Sequence, residues 1–143
     1  MLNKEFIKRK INLIEEELVH LAEFSQYSFS EIASDYKKQA IIERLLERVI
    51  MRAIDINQHL ISELSNEDIV IPKDYKETFS GLVGLKIYPK EFSDEISKSV
   101  GTRNILVHEY DEVDYTKVYS SVKDCLRDYH QYCQYILDFL ERK

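Results

Sequence analysis

The chain has 143 residues, 44% of them hydrophobic and 32% charged, with a formal net charge of −6. That length and composition predict one folded domain over residues 1–143 with a core of its own, and they argue against a disordered chain. The acidic balance excludes a generic, sequence-blind nucleic-acid coat, which is normally basic, so any nucleic-acid contact must rest on a local site.

The elements are helical throughout. Ile7, Ile11, Ile14, Leu18 and Leu21 recur at steps of four and three, a helix seam that fades at Phe24. Ser28 with Glu31 three residues on has the form of a capping box, which predicts a second, long helix starting there. Ile42, Leu46, Val49, Ala53, Ile56 and Leu60 carry its seam toward Ser65-Asn66. Pro72 suits a first helical position, so a third, shorter helix is expected with Tyr75, Phe79, Leu82 and Val83 along it, weakened at its end by Gly81 and Gly84. Pro89 opens a fourth helix with Phe92, Ile96, Val100 and Arg103 on one face. Asp114 is a fair N-cap for the last, whose seam is Val118, Val122, Cys125, Tyr129, Tyr132, Ile136 and Phe139. With no strand-like alternation and no internal repeat, the expected fold is an all-α, up-and-down four-helix bundle with one additional short helix.

Several features invite a functional reading and carry little of it. Cys125 and Cys133 on one helix place their α-carbons about 12 Å apart, too far to bridge within one chain. Reduced thiols with one of them packed in the core are expected, in a cytoplasmic protein. No Cys/His cluster has metal-ligand spacing, so no metal is expected. The first residues lack an apolar signal core, and no apolar run approaches the roughly 18 residues a membrane span needs. Tyr115, Tyr119, Tyr129, Tyr132 and Tyr135 at helical spacing read as core and interface filler, not as a base-stacking platform. Arg44, Arg48 and Arg52 interleave with Glu43 and Glu47 and read as a solvated, ion-paired face. His20, His59 and His130 are isolated surface or interface histidines.

One stretch differs. R-N-I-L-V-H-E-Y, Arg103 to Tyr110, crowds a guanidinium, an amide, an imidazole and a phenol around three aliphatics. Asn104 and His108 are i, i+4 and share a helical face. Arg103 and His108 are separated by about 140° around the axis and about 7.5 Å along it. One straight helix therefore does not aim both at one point. Either Arg103 uses its full reach, or the helix ends before His108, or two copies meet across a two-fold axis. The residue types suit metal-independent RNA cleavage. A 2′-hydroxyl attacks the adjacent phosphate, the histidine moves a proton, and the arginine offers paired donors to the phosphate oxygens. The bland alternative pairs Arg103 with an acidic neighbour and leaves His108 as a helix-terminal cation.

The string R-N-I-L-V-H-E-Y, with D-Y-T-K-V-Y following, resembles the R-N-x-L-V-H-x-Y signature of HepT-like HEPN-domain proteins. The run Glu47 to Ile61 and the segment P-K-D-Y-K-E-T-F, Pro72 to Phe79, extend the likeness over most of the chain, although Thr102 stands where family members often have an aromatic residue. The resemblance implies a HEPN-like homodimer and a metal-independent ribonuclease toxin of a type VII toxin–antitoxin pair, cleaving tRNA or mRNA without a cofactor. It implies that Arg103 and His108 are catalytic across the two-fold axis and that Asn104 supports them. It also implies that an MntA-like nucleotidyltransferase antitoxin transfers AMP onto Tyr110. Two other classes remain: a non-catalytic nucleotide- or substrate-binding partner of a minimal nucleotidyltransferase, and a structural module whose motif only stabilises a dimer.

Overall fold

The computed structural model describes residues 1–66, 71–108 and 114–143, apart from the side chains of Val107 and His108. Helix α1 (Lys4–Ala22) buries the predicted Ile7, Ile11, Ile14, Leu18 and Leu21, and the Asn3 side chain caps it by accepting from the Phe6 N–H at 3.0 Å. A 3-10 turn (Glu23–Gln26) follows. The Ser28–Glu31 capping box is formed in both directions, but it starts only the short α2 (Phe29–Ala33). The long helix α3 (Tyr36–Leu64) begins afresh, because Asp35 caps it by accepting from the N–H groups of Lys37 and Lys38. The Gln39 amide donates to the Ile32 and Ala33 carbonyls at 3.0 and 2.7 Å, tying the end of α2 to the first turn of α3.

Pro72 does not occupy a first helical position. Helix α4 (Tyr75–Gly84) starts three residues later, where Asp74 accepts from the Glu77 N–H at 2.8 Å and Glu77 accepts from the Lys73 N–H at 2.7 Å. The helix ends at Gly84, and at Gly81 a Cβ would meet Ile61 Cδ1 at 2.6 Å. The left-handed residue that ends this helix is Lys86, at φ 62°. The predicted fourth helix is two, α5 (Lys90–Ile96) and α6 (Lys98–His108), meeting at Ser97. Helix α7 (Tyr115–Glu141) is capped by Asp114, as read from sequence.

Helix α3 is the axis, packing against α1, α4, α6 and α7. Helices α1, α3, α7 and the bent α5–α6 are the four members of the expected all-α bundle, with α4 and α2 added to it. One continuous apolar core joins them, including Ile42, Leu46, Val49, Phe79, Ile96, Val122 and Ile136. Among the described residues no strand occurs, and no helix is long and apolar enough to cross a membrane. Cys125 and Cys133 are both buried free thiols. Burial pushes the Cys133 thiol up to about 12 and that of Cys125 well above the usual thiol range.

Polar groups cross this core in one chain of contacts. The buried Tyr132 hydroxyl donates to Asn57 Oδ1 at 2.6 Å, and the Asn57 amide donates to Thr78 Oγ1 at 3.2 Å. The Thr78 hydroxyl in turn donates to the Tyr75 carbonyl at 2.6 Å. Helices α7, α3 and the first turn of α4 are thereby tied together where water is excluded, and such buried networks fix geometry because a lost partner is costly.

Candidate active site

Helix α6 supplies the candidate residues. It is helical through His108, so the chain does not turn away before the imidazole. Arg103 and His108 are thus held at the angular offset of a regular helix, which leaves long reach or a second copy as the ways to join them. Asn104 is exposed and Arg103 half-buried. The His108 side chain lies outside the described residues, and so does all of Tyr110.

The Arg103 guanidinium lies over the ring of Tyr75, with Cζ 5.1 Å from the ring centroid. Its Nη1 donates to Asn104 Oδ1 at 3.3 Å. Its Nε is buried without a hydrogen-bond partner. Among the described residues no carboxylate pairs with it; Glu109, Asp111 and Glu112, the acidic residues that follow it in sequence, lie outside the described residues, and with them the acidic-neighbour alternative. An open groove of about 660 Å³ runs beside it, lined by Tyr75, Lys76, Lys98, Arg103 and Asn104 among others. A guanidinium at a groove with no carboxylate partner among the described residues is a ready partner for a phosphate, whose oxygens match its parallel donors.

Tyr129 and Tyr132 are fully buried, and Tyr115, Tyr119 and Tyr135 are half-buried, so the tyrosine series is filler as expected. His20 and His130 are exposed, while His59 Nε2 accepts from the Asn3 N–H at 3.0 Å. The arginine ridge is not simply a solvated face. Arg44 pairs with Glu47 at 3.6 Å, but Arg48 and Arg52 turn to the nearly buried Glu17 on α1, at 3.2 and 2.8 Å. Among the described residues no group of three or more His, Cys, Asp or Glu comes together so as to hold a metal ion. Sequence reasoning placed Tyr75 in the apolar seam of α4 and missed it as the neighbour of Arg103. Its place one step after the Asp74 cap was the available sign that it begins the helix beside a groove.

The model of the HepT-like ribonuclease family matches residues 14–136. The chain belongs to this family. Within it, the tRNA nuclease HepT of Aphanizomenon flos-aquae is 35% identical over 136 residues, covering 94% of this chain and 89% of that protein. The mRNA nuclease HepT of Shewanella oneidensis is 29% identical over 107 residues, covering 75% and 78%. A solved structure of a tri-AMPylated Shewanella oneidensis HEPN toxin in complex with an MNT antitoxin superposes with TM-score 0.80 at 26% identity, covering 93% of this chain and 97% of that one. Arg103, Asn104, His108 and Tyr110 are thus positions of a HepT-like chain.

Proposed function

We propose that this chain, acting as one domain in the cytoplasm, is the toxin of a toxin–antitoxin pair and cleaves cellular RNA without a metal ion. Arg103 and His108 are its catalytic residues, contributed by two copies that face each other across a two-fold axis, and Asn104 supports them. The observation that carries this reading is the Arg103 guanidinium, lodged on the Tyr75 ring and bonded to Asn104 with no carboxylate partner among the described residues.

The step is an internal transesterification. The RNA 2′-oxygen forms a bond to the adjacent phosphorus while its proton passes to an imidazole. The bond from phosphorus to the 5′-oxygen of the next nucleotide breaks, and that oxygen takes the proton from the imidazolium so formed. A 2′,3′-cyclic phosphate and a 5′-hydroxyl result. Histidine suits both proton transfers near neutral pH, and the guanidinium stabilises charge that grows on the non-bridging oxygens. The helical path through His108 favours the two-copy arrangement, because one helix holds the two side chains about 140° apart.

Tyr110, two residues past His108, is the site at which an MntA-like nucleotidyltransferase attaches AMP. Each AMP adds bulk and about one negative charge beside groups meant to hold a phosphate, so both effects oppose RNA entry. The tri-AMPylated relative seen with its antitoxin supports this assignment.

Expression without the antitoxin tests the reading. Unmodified protein is expected to arrest growth and to cut total tRNA or mixed-sequence RNA in EDTA, with His108→Ala inactive. Intact mass after incubation with antitoxin and ATP is expected to rise by whole AMP units, and not to rise in Tyr110→Phe. A chain that only assists the transferase would bind it tightly and cut nothing.

A further inference from the structure

We propose that Tyr75 is the positioning residue for Arg103, the ring that fixes the guanidinium at the mouth of the groove where the scissile phosphate approaches. This deepens the ribonuclease reading and depends on Arg103 being catalytic. Arginine has several rotatable bonds, and a guanidinium meant to meet a phosphate must be held against that freedom. An ion pair would hold it but would also spend its charge. Here the holding contacts are an aromatic face at 5.1 Å and one neutral amide oxygen at 3.3 Å. Neither neutralises the cation, and a ring face attracts it through its quadrupole.

The buried Nε has a consequence for direction. With that N–H sealed inside and Nη1 engaged by Asn104, a phosphate arriving from the groove meets the Nη side of the fork. The backbone that carries the ring is itself anchored. The Tyr75 carbonyl accepts from the Thr78 hydroxyl, which accepts from Asn57, which accepts from Tyr132 in the centre of the bundle. Rigid core is thus connected, contact by contact, to the groove-side cation. Asp74, the nearest acidic lining residue, is occupied as the cap of α4.

Cleavage kinetics on total tRNA and on a mixed-sequence oligoribonucleotide, with the full chain, separate positioning from bulk stability. Tyr75→Leu removes the ring and is expected to lower kcat by about tenfold to a hundredfold with KM little changed. Tyr75→Phe keeps the ring and is expected to restore most of kcat. A Tyr75→Leu protein that melts like the wild type and cuts at the wild-type rate would overturn the role, provided Arg103→Ala is inactive in the same assay. Should Arg103→Ala also cut normally, the ribonuclease site itself is misplaced and the role of Tyr75 falls with it. A second measurement does not depend on activity or on the leucine variant folding. The Arg103 Nε–H proton in the wild-type protein is expected to show an upfield ring-current shift and slow exchange by NMR, kept in Tyr75→Phe. An unshifted, rapidly exchanging signal would overturn the proposal.

Discussion

Arg52 and Arg103 are both half-buried arginines on helices that share a core, and their company is opposite. Arg52 donates to Glu17 at 2.8 Å, on a carboxylate that Arg48 also reaches at 3.2 Å. Its charge is neutralised within the protein, and its work is to hold α3 against α1. Among the described residues Arg103 has a tyrosine ring and an amide in place of a carboxylate, so its orientation is fixed without a paired negative charge. Burial alone does not separate a structural from a functional cation here. The identity of the partner does.

The largest difference is expected when each arginine is truncated. Arg103→Ala should lower RNA cleavage by about a hundredfold to a thousandfold, as loss of a transition-state donor does, with the melting temperature close to that of the wild type. Arg52→Ala should do the reverse. It leaves the nearly buried Glu17 with Arg48 alone, and a denaturant titration is expected to show a loss of about 1–3 kcal/mol with cleavage per folded molecule unchanged. Equal stability losses in the two variants would erase the distinction between them.

A smaller effect lies in the contacts behind Tyr75. Thr78→Val removes the hydroxyl that joins Asn57 to the Tyr75 carbonyl, and leaves the Asn57 amide short of a buried partner. A cost of about 1–2 kcal/mol is expected from chemical denaturation. A modest fall in kcat should accompany it, because the backbone that carries the ring under Arg103 loses its anchor.

How these two sites read from sequence follows from their range. The apolar seams of α1, α3 and α7 were legible because a helix repeats its buried face locally, as Val118 to Phe139 does. The restart at Asp35 was overlooked although its signal was present. An aspartate ahead of Tyr36 is a cap, and the seam continued smoothly past it on the far side. The same holds for Asp74, a better start than Pro72. The bend at Ser97 left no proline or glycine to mark it. The motif Arg103 to Tyr110 was legible as residue types at a spacing, and α6 now shows that the helix runs on through His108. Two contacts were not legible at all, Glu17 with Arg52 and Tyr75 with Arg103. They join residues far apart in the chain, and a single sequence carries no periodic sign of such a pair.

A last expected effect is a pH dependence that belongs to the core and not to the site. Burial raises the Cys133 thiol to about 12 and Cys125 further, and it raises the Tyr88, Tyr129 and Tyr132 hydroxyls as well. A raised group keeps its proton in the folded chain after the unfolded chain has lost it. The stabilisation is therefore complete below the unfolded thiol value and is lost as pH rises through the folded one. Denaturant midpoints should be flat around neutral pH and fall between about pH 9 and 12, less steeply in Cys133→Ala. A midpoint that stays level across that range would contradict the burial of these groups.

The most direct test of the two-copy site mixes two inactive chains. Arg103→Ala and His108→Ala proteins, carrying different tags, are refolded together and passed over both affinity resins to isolate mixed dimers. If Arg103 of one copy works with His108 of the other, the mixed dimer retains one intact pair and regains RNA cleavage in EDTA, while each parent stays silent. A mixed dimer as inactive as its parents would place both residues in a single chain and contradict the shared cleft.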